Sequence, residues 1–161
     1  MRRAEMAAPA GAWAPPPPGG DRFWTAEMVR SRLAEAADTL RRLPIPRGGF
    51  PARLRSHWPE VVQESFEAWI ASGRDRPFLC PAAPSPQAID RLDQTLPWLN
   101  LLDRGERRIV WARSCGLPWR RLEDIDGRSD RTLRSVYGQA IDRLVSRLNA
   151  AGRGTASTAF G

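Results

Sequence analysis

The residues able to do chemistry in this 161-residue chain gather toward its C-terminal end. Arg120, Arg121, Arg128, Arg131 and Arg134 are interleaved there with Ser129, Thr132 and Ser135. A guanidinium presents its donors in a planar fork that fits phosphate oxygens and the O6/N7 edge of guanine. Hydroxyls near a helix start can reach phosphates or bases, and the helix dipole favours phosphate there. The pattern therefore points to non-covalent recognition of duplex DNA. Arg131 and Arg134 are the candidates for base edges. Arg120, Arg121 and Arg128 are the candidates for backbone phosphates. Each of these arginines has a second reading, as a solvated side chain or as a partner of Asp124, Asp130 or Asp142.

Bond-making chemistry finds no comparable set of residues. His57 is the only histidine, and the two cysteines, Cys80 and Cys115, are far apart with no CxxC or HxxxH spacing. No zinc site or other metal centre is expected from them. Glu123 and Asp124 are adjacent, which is not the spacing of metal ligands. Arg47-Gly48-Gly49 is too short to cradle a phosphate. Cys115 and His57 make a nucleophile and a base by residue type alone. Neither an enzyme nor a cofactor is expected.

All 25 basic residues are arginine, and the net charge is +7, with a pI near 11.1. A GC-rich coding bias accounts for the absence of lysine, and the abundant Ala, Pro and Gly fit the same bias. Whatever its origin, such a charge attracts polyanions. Arg2 and Arg3 are followed by a stretch broken at Pro9, Gly11 and Pro15 to Pro18, so no signal peptide is expected. No run approaches the ~20 apolar residues of a membrane span. The cytoplasm is the expected location.

The elements that must position the arginines read as all-α. Residues 1–22 are rich in Ala, Pro and Gly and are expected to be a disordered tail, as are residues 150–161. Between them, 23–149 should form one helical domain. Thr25 can cap a helix that carries Met28, Val29, Leu33, Ala36, Ala37, Leu40 and Leu43 at helical spacing and ends before Pro44. Residues 60–72 have the pattern of a short helix, with irregular Pro- and Gly-rich links on either side. Ser85 caps the next helix with Pro86 at its first position, and its apolar series runs Ile89, Leu92, Leu96, Leu99, Leu102. Pro97 should kink or divide it. Asp103 and Glu106 have the spacing of a capping box, opening a helix that buries Ile109, Val110 and either Trp111 or Ala112. Trp98, Trp111 and Trp119 fall at packing positions and read as core rather than as base-stacking residues. Trp24 and Trp58 are placed to lock the N-terminal element onto the C-terminal core.

The final stretch, 117–148, reads as a helix-turn-helix. A short helix from Pro118 to Ile125 has an apolar edge of Leu122 and Ile125. Gly127 supplies a tight turn, and Ser129 caps a long helix running to about Asn149. That helix should bury Leu133, Tyr137, Ala140 and Leu144, leaving Arg131, Arg134, Ser135 and Gly138 outward. The same spacing also suits an ordinary helical hairpin with solvated arginines.

The segment LEDIDGRSDRTLRSVYGQAIDRL resembles the helix-turn-helix of sigma factor region 4, through Leu122, Gly127, Ser129, Thr132, Leu133, Ala140 and Leu144. It departs at Glu123, where that family favours a small residue, and at Asp126 and Arg128, where it favours apolar ones. The segments WTAEMVRSRLAEAADTLRRLP, HWPEVV, SPQAIDRLDQTLPWLNLL and RIVWARSCGLPWRRL resemble an uncharacterised bacterial family associated with phage and prophage genes. The resemblance implies a DNA-binding regulator of phage or prophage genes. Its alternatives are a small-terminase-like packaging component, which would oligomerise, and an adaptor that contacts RNA polymerase through the acidic Glu123, Asp124 and Asp126. The partners implied are double-stranded DNA and, among proteins, RNA polymerase or phage packaging proteins.

Overall fold

A computed structural model describes residues 15–21, 23–44, 58–64 and 82–156, with the backbone alone for 153–156. Among the described residues the fold is all-α, with no strand. Helix α1 spans Ala26–Arg42, α2 Pro86–Thr95, α3 Arg104–Ser114, α4 Trp119–Asp126 and α5 Asp130–Ala156. Residues 60–64 are also helical; the remainder of the 60–72 pattern, like His57 and Cys80, lies outside the described residues.

Local chemistry sets most of the boundaries. The Thr25 hydroxyl accepts the Met28 N–H at 3.3 Å, and the Ser85 hydroxyl accepts the Ala88 N–H at 3.2 Å. The Asp103–Glu106 capping box closes reciprocally, at 2.8 and 3.2 Å. Pro97 divides the chain as expected. The α-helix gives way at Leu96 to a 3₁₀ segment through Leu101, the tighter winding that a proline lacking its N–H tolerates.

One apolar core joins α1, α2, the 3₁₀ segment, α3 and α5. Val29, Leu33, Leu92, Trp98, Leu99, Val110, Trp111, Ile141, Leu144 and Leu148 are buried in it. Trp24 closes its end. Its ring meets Trp98 edge-on at 5.0 Å, its backbone N–H donates to Asn149 Oδ1 at 2.7 Å, and Asn149 Nδ2 donates in return to the Trp24 carbonyl at 2.9 Å. The N-terminal element is thereby fastened to the C-terminal helix. Glu106, 7% exposed, makes a second tie, accepting from Arg143 of α5 at 2.6 Å.

Two boundaries differ from the sequence reading. Residues 15–21 belonged to the expected disordered tail, yet Trp24 Nε1 donates to the Pro15 carbonyl at 3.1 Å and Pro18–Gly20 form a 3₁₀ turn. The buried indole needs an acceptor, and the chain just before it supplies one. At the other end α5 runs to Ala156 rather than stopping near Asn149; Ala150 and Ala151 favour helix and carry it on across Gly152 and Gly154. Residues 1–14 and 157–161 of the expected tails lie outside the described residues.

Candidate nucleic-acid interface

Helices α3, α4 and the first half of α5 build a three-helix unit around a second, smaller core. Ile109, Leu122 and Leu133 are buried in it, with Ala112, Leu117, Trp119, Val136 and Tyr137 packed against them. The chain leaves α3 through Gly116 and leaves α4 through Gly127, each at φ 83°. That left-handed conformation is one only glycine adopts without strain. At Gly127 it lets the backbone N–H close on the Glu123 carbonyl at 2.9 Å and aims the chain into α5. The Ser129 hydroxyl then accepts the Thr132 N–H at 3.3 Å and pairs with the Thr132 hydroxyl at 2.9 Å. Turn, cap and shared core thus stand where the spacing of Leu122, Gly127, Ser129 and Leu133 required.

Two apolar positions behave differently from their reading. Ile125 is 59% exposed. Only Leu122 reaches Ile109 and Leu133, while Ile125 lies on the rim of a groove of about 620 Å³ lined by Val61, Ile109, Trp111, Ala112, Cys115 and Leu117 among others. Tyr137 is half-buried, packed against the margins of both cores, and its ring meets Trp119 edge-on at 5.5 Å.

The arginines divide into two groups. Arg120, Arg121 and Arg131 are exposed and form no ion pair with a described residue. Arg128 and Arg134 are held. Arg128 chelates Asp126 through Nε and Nη2, at 2.5 and 3.0 Å. This hydrogen bonding lowers the Asp126 carboxyl below its ordinary value and raises the Arg128 guanidinium above its own. Arg108 adds a further positive charge beside Asp126. Asp126 is therefore held ionised with its charge offset by Arg128, which leaves Glu123 and Asp124 as the acidic residues of this cluster without an ion pair among the described residues. Arg134 donates to Asp130 at 2.7 Å and lies 4.9 Å from the centre of the Trp119 ring. Arg113 lies 4.4 Å from the same ring and donates to the Leu117 carbonyl. Trp119 is accordingly a stacking platform for two arginines as well as a packing residue. Its site was visible in the sequence, but its arginine partners were not, apart from the i,i+4 pairing of Arg134 with Asp130.

The polar front of α5 comprises exposed Arg131, Thr132, Ser135 and Gln139. Ser135 Oγ accepts weakly from Gln139 at 3.4 Å. An added Cβ at Gly138 would meet no heavy atom within 4 Å, so this stretch of helix surface is open.

Residues 41–144 match the model of a family described as a domain of unknown function (DUF6362). The chain belongs to this family. The DUF6362 stretch takes in α2, α3, α4 and α5 as far as Leu144, and so includes every candidate DNA-contacting residue from Arg120 to Ser135. Most of α1 and the end of α5 lie outside it. No curated protein and no solved structure matches the chain.

Among the described residues no group of three His, Cys, Asp or Glu side chains gathers as metal ligands. Burial raises the Cys115 thiol, keeping it protonated and poorly nucleophilic. No described helix is long and apolar enough to cross a membrane.

Proposed function

We propose that this chain is a double-stranded-DNA-binding protein of the kind that regulates phage or prophage genes. In this reading the first half of α5 enters the major groove. One observation carries the reading. A left-handed glycine turn, a serine cap and the shared Ile109–Leu122–Leu133 core hold a helix with an exposed, polar, arginine-bearing front away from the body of the domain.

The roles follow from which groups are free. Arg131, exposed and unpaired among the described residues, is the base reader, with its fork on a guanine edge. Arg120 and Arg121 sit in the first turn of α4 and contact phosphates. Thr132 and Ser135 approach the backbone or base edges from the polar front. Ser129 acts chiefly as the cap. Arg128 and Arg134, already bound to Asp126 and Asp130, offer their remaining N–H groups to phosphate.

The test is fluorescence anisotropy of the full chain with labelled duplexes from its own genomic flanks, across a salt series. Binding that tightens as salt falls is expected, with sequence preference lost in Arg131→Ala. No binding at low salt, where phosphate contacts are strongest, overturns the reading.

A second reading has its own observation. Exposed Ile125 beside Glu123 and Asp124 makes an apolar contact with an acidic rim. That combination suits a basic protein surface such as one on RNA polymerase. Retention of purified polymerase by the chain, abolished by Ile125→Asp, supports it, and no retention argues against it.

A further inference from the structure

Three arginines from three different helices converge on one aromatic pair. Arg113 of α3 and Arg134 of α5 lie over Trp119 at 4.4 and 4.9 Å, and Arg30 of α1 lies 5.9 Å from the centre of the Tyr137 ring. The two rings meet edge-on at 5.5 Å, so the three guanidinium groups are arranged around one aromatic pair. Bringing like charges together opposes folding. The compensation inside the protein is incomplete. Arg134 has Asp130 at 2.7 Å. Among the described residues Arg30 has only Glu27 for an ion pair, at 4.0 Å, an exposed and salt-screened contact. Arg113 bonds a backbone carbonyl and pairs with no carboxylate among the described residues. Cation–π contact with the rings leaves guanidinium N–H groups unspent, which is the state that suits a phosphate acceptor. Arg134 stands one helical turn from Arg131, so the cluster is continuous with the polar front of α5.

We propose that this arginine–aromatic cluster is a second DNA-backbone contact, and that Arg30 carries it from the helix-turn-helix onto α1. The inference rests on the DNA-binding reading above and extends it to an element outside the family-matched residues 41–144. Arg30 anchors phosphate and reads no base, so it contributes equally to every duplex. The cluster sets the orientation of α5 in the groove by tying the domain to the backbone at a point away from the turn.

Arg30 is the residue to test, because its side chain is 44% exposed and it is not among the residues buried in either core. Anisotropy of the full chain is measured on two duplexes of different sequence across a salt series, for wild type, Arg30→Gln, Arg30→Lys and Arg131→Ala. For Arg30→Gln we expect weaker binding by the same factor on both duplexes. The slope of log K against log salt should become shallower by about 0.9, one phosphate contact. Arg30→Lys, which keeps the charge, should retain the wild-type slope, and Arg131→Ala should lose the preference between duplexes. A wild-type chain that binds DNA while Arg30→Gln leaves slope and affinity unchanged overturns this inference alone. A wild-type chain that binds neither duplex at low salt overturns the DNA reading and this inference together.

Discussion

Replacing Gly127 by Ala probes the turn on which the interface depends. Gly127 stands at φ 83°, and a Cβ added there meets no heavy atom within 4 Å. The substitution therefore introduces no clash, and its effect is conformational. An L-residue in the left-handed region costs about 1–2 kcal/mol. Part of this is offset by about 0.4–1 kcal/mol because the unfolded chain loses freedom too. A net loss of about 1 kcal/mol remains. Gly138 supplies the matched change, for it lies inside α5 and an added Cβ there also meets nothing within 4 Å. In a helix interior the same substitution should gain roughly 0.8–1.0 kcal/mol. Two chemically identical changes eleven positions apart in sequence should thus separate by about 2 kcal/mol, with opposite signs relative to wild type. Urea unfolding followed by tryptophan fluorescence and far-ultraviolet circular dichroism reads the difference as a shift in midpoint at constant m. Midpoints that move together, or a more stable Gly127→Ala, would refute the left-handed turn and with it the geometry of α4 against α5.

Two further predictions follow from packing and charge. Leu133→Ala should cost about 2–5 kcal/mol, because Leu133 is 0% exposed and joins Ile109 and Leu122 in a core too small to repack; urea unfolding measures it, and a loss well under this range would mean that α4 is not held by that core. The Arg128 hydrogen bond depresses the folded-state value of Asp126 below that of the unfolded chain, so its contribution to stability is full above the ordinary carboxylate range and fades as pH falls through the lowered value. The stability difference between wild type and Asp126→Asn should accordingly shrink on acidification, and a difference that stays constant with pH would contradict the pairing.

What could be read in the sequence was whatever is decided within a few residues. Thr25, Ser85 and the Asp103–Glu106 pair cap helices because a hydroxyl or carboxylate reaches an N–H three residues on, and spacing alone reveals that. Pro97 and Gly127 act through their own backbone chemistry, so both were legible where they stand. Of the contacts that join elements, only the fastening role of Trp24 was expected, and not its partners. Nothing in the local pattern pairs Trp24 with Asn149, 125 residues away, or Glu106 with Arg143, 37 residues away. At the interface the same division holds. The turn, the cap, Leu133 and the i,i+4 spacing of Arg134 from Asp130 were visible, but not the Trp119 ring that the packing of α4 across α5 places beside Arg134. Ile125 failed as a core residue for the reverse reason. Helical period places it on the edge with Leu122, yet α4 fills the second core with Leu122 and Trp119.

The most direct test of the central claim is a ¹⁵N-labelled titration of the full chain with a duplex that it binds, followed residue by residue in heteronuclear NMR spectra. DNA held by the first half of α5 should shift the amides from Ser129 to Gln139 most strongly, with smaller shifts at Arg120 and Arg121. Shifts confined to other surfaces, or none on adding any duplex at low salt, would contradict it.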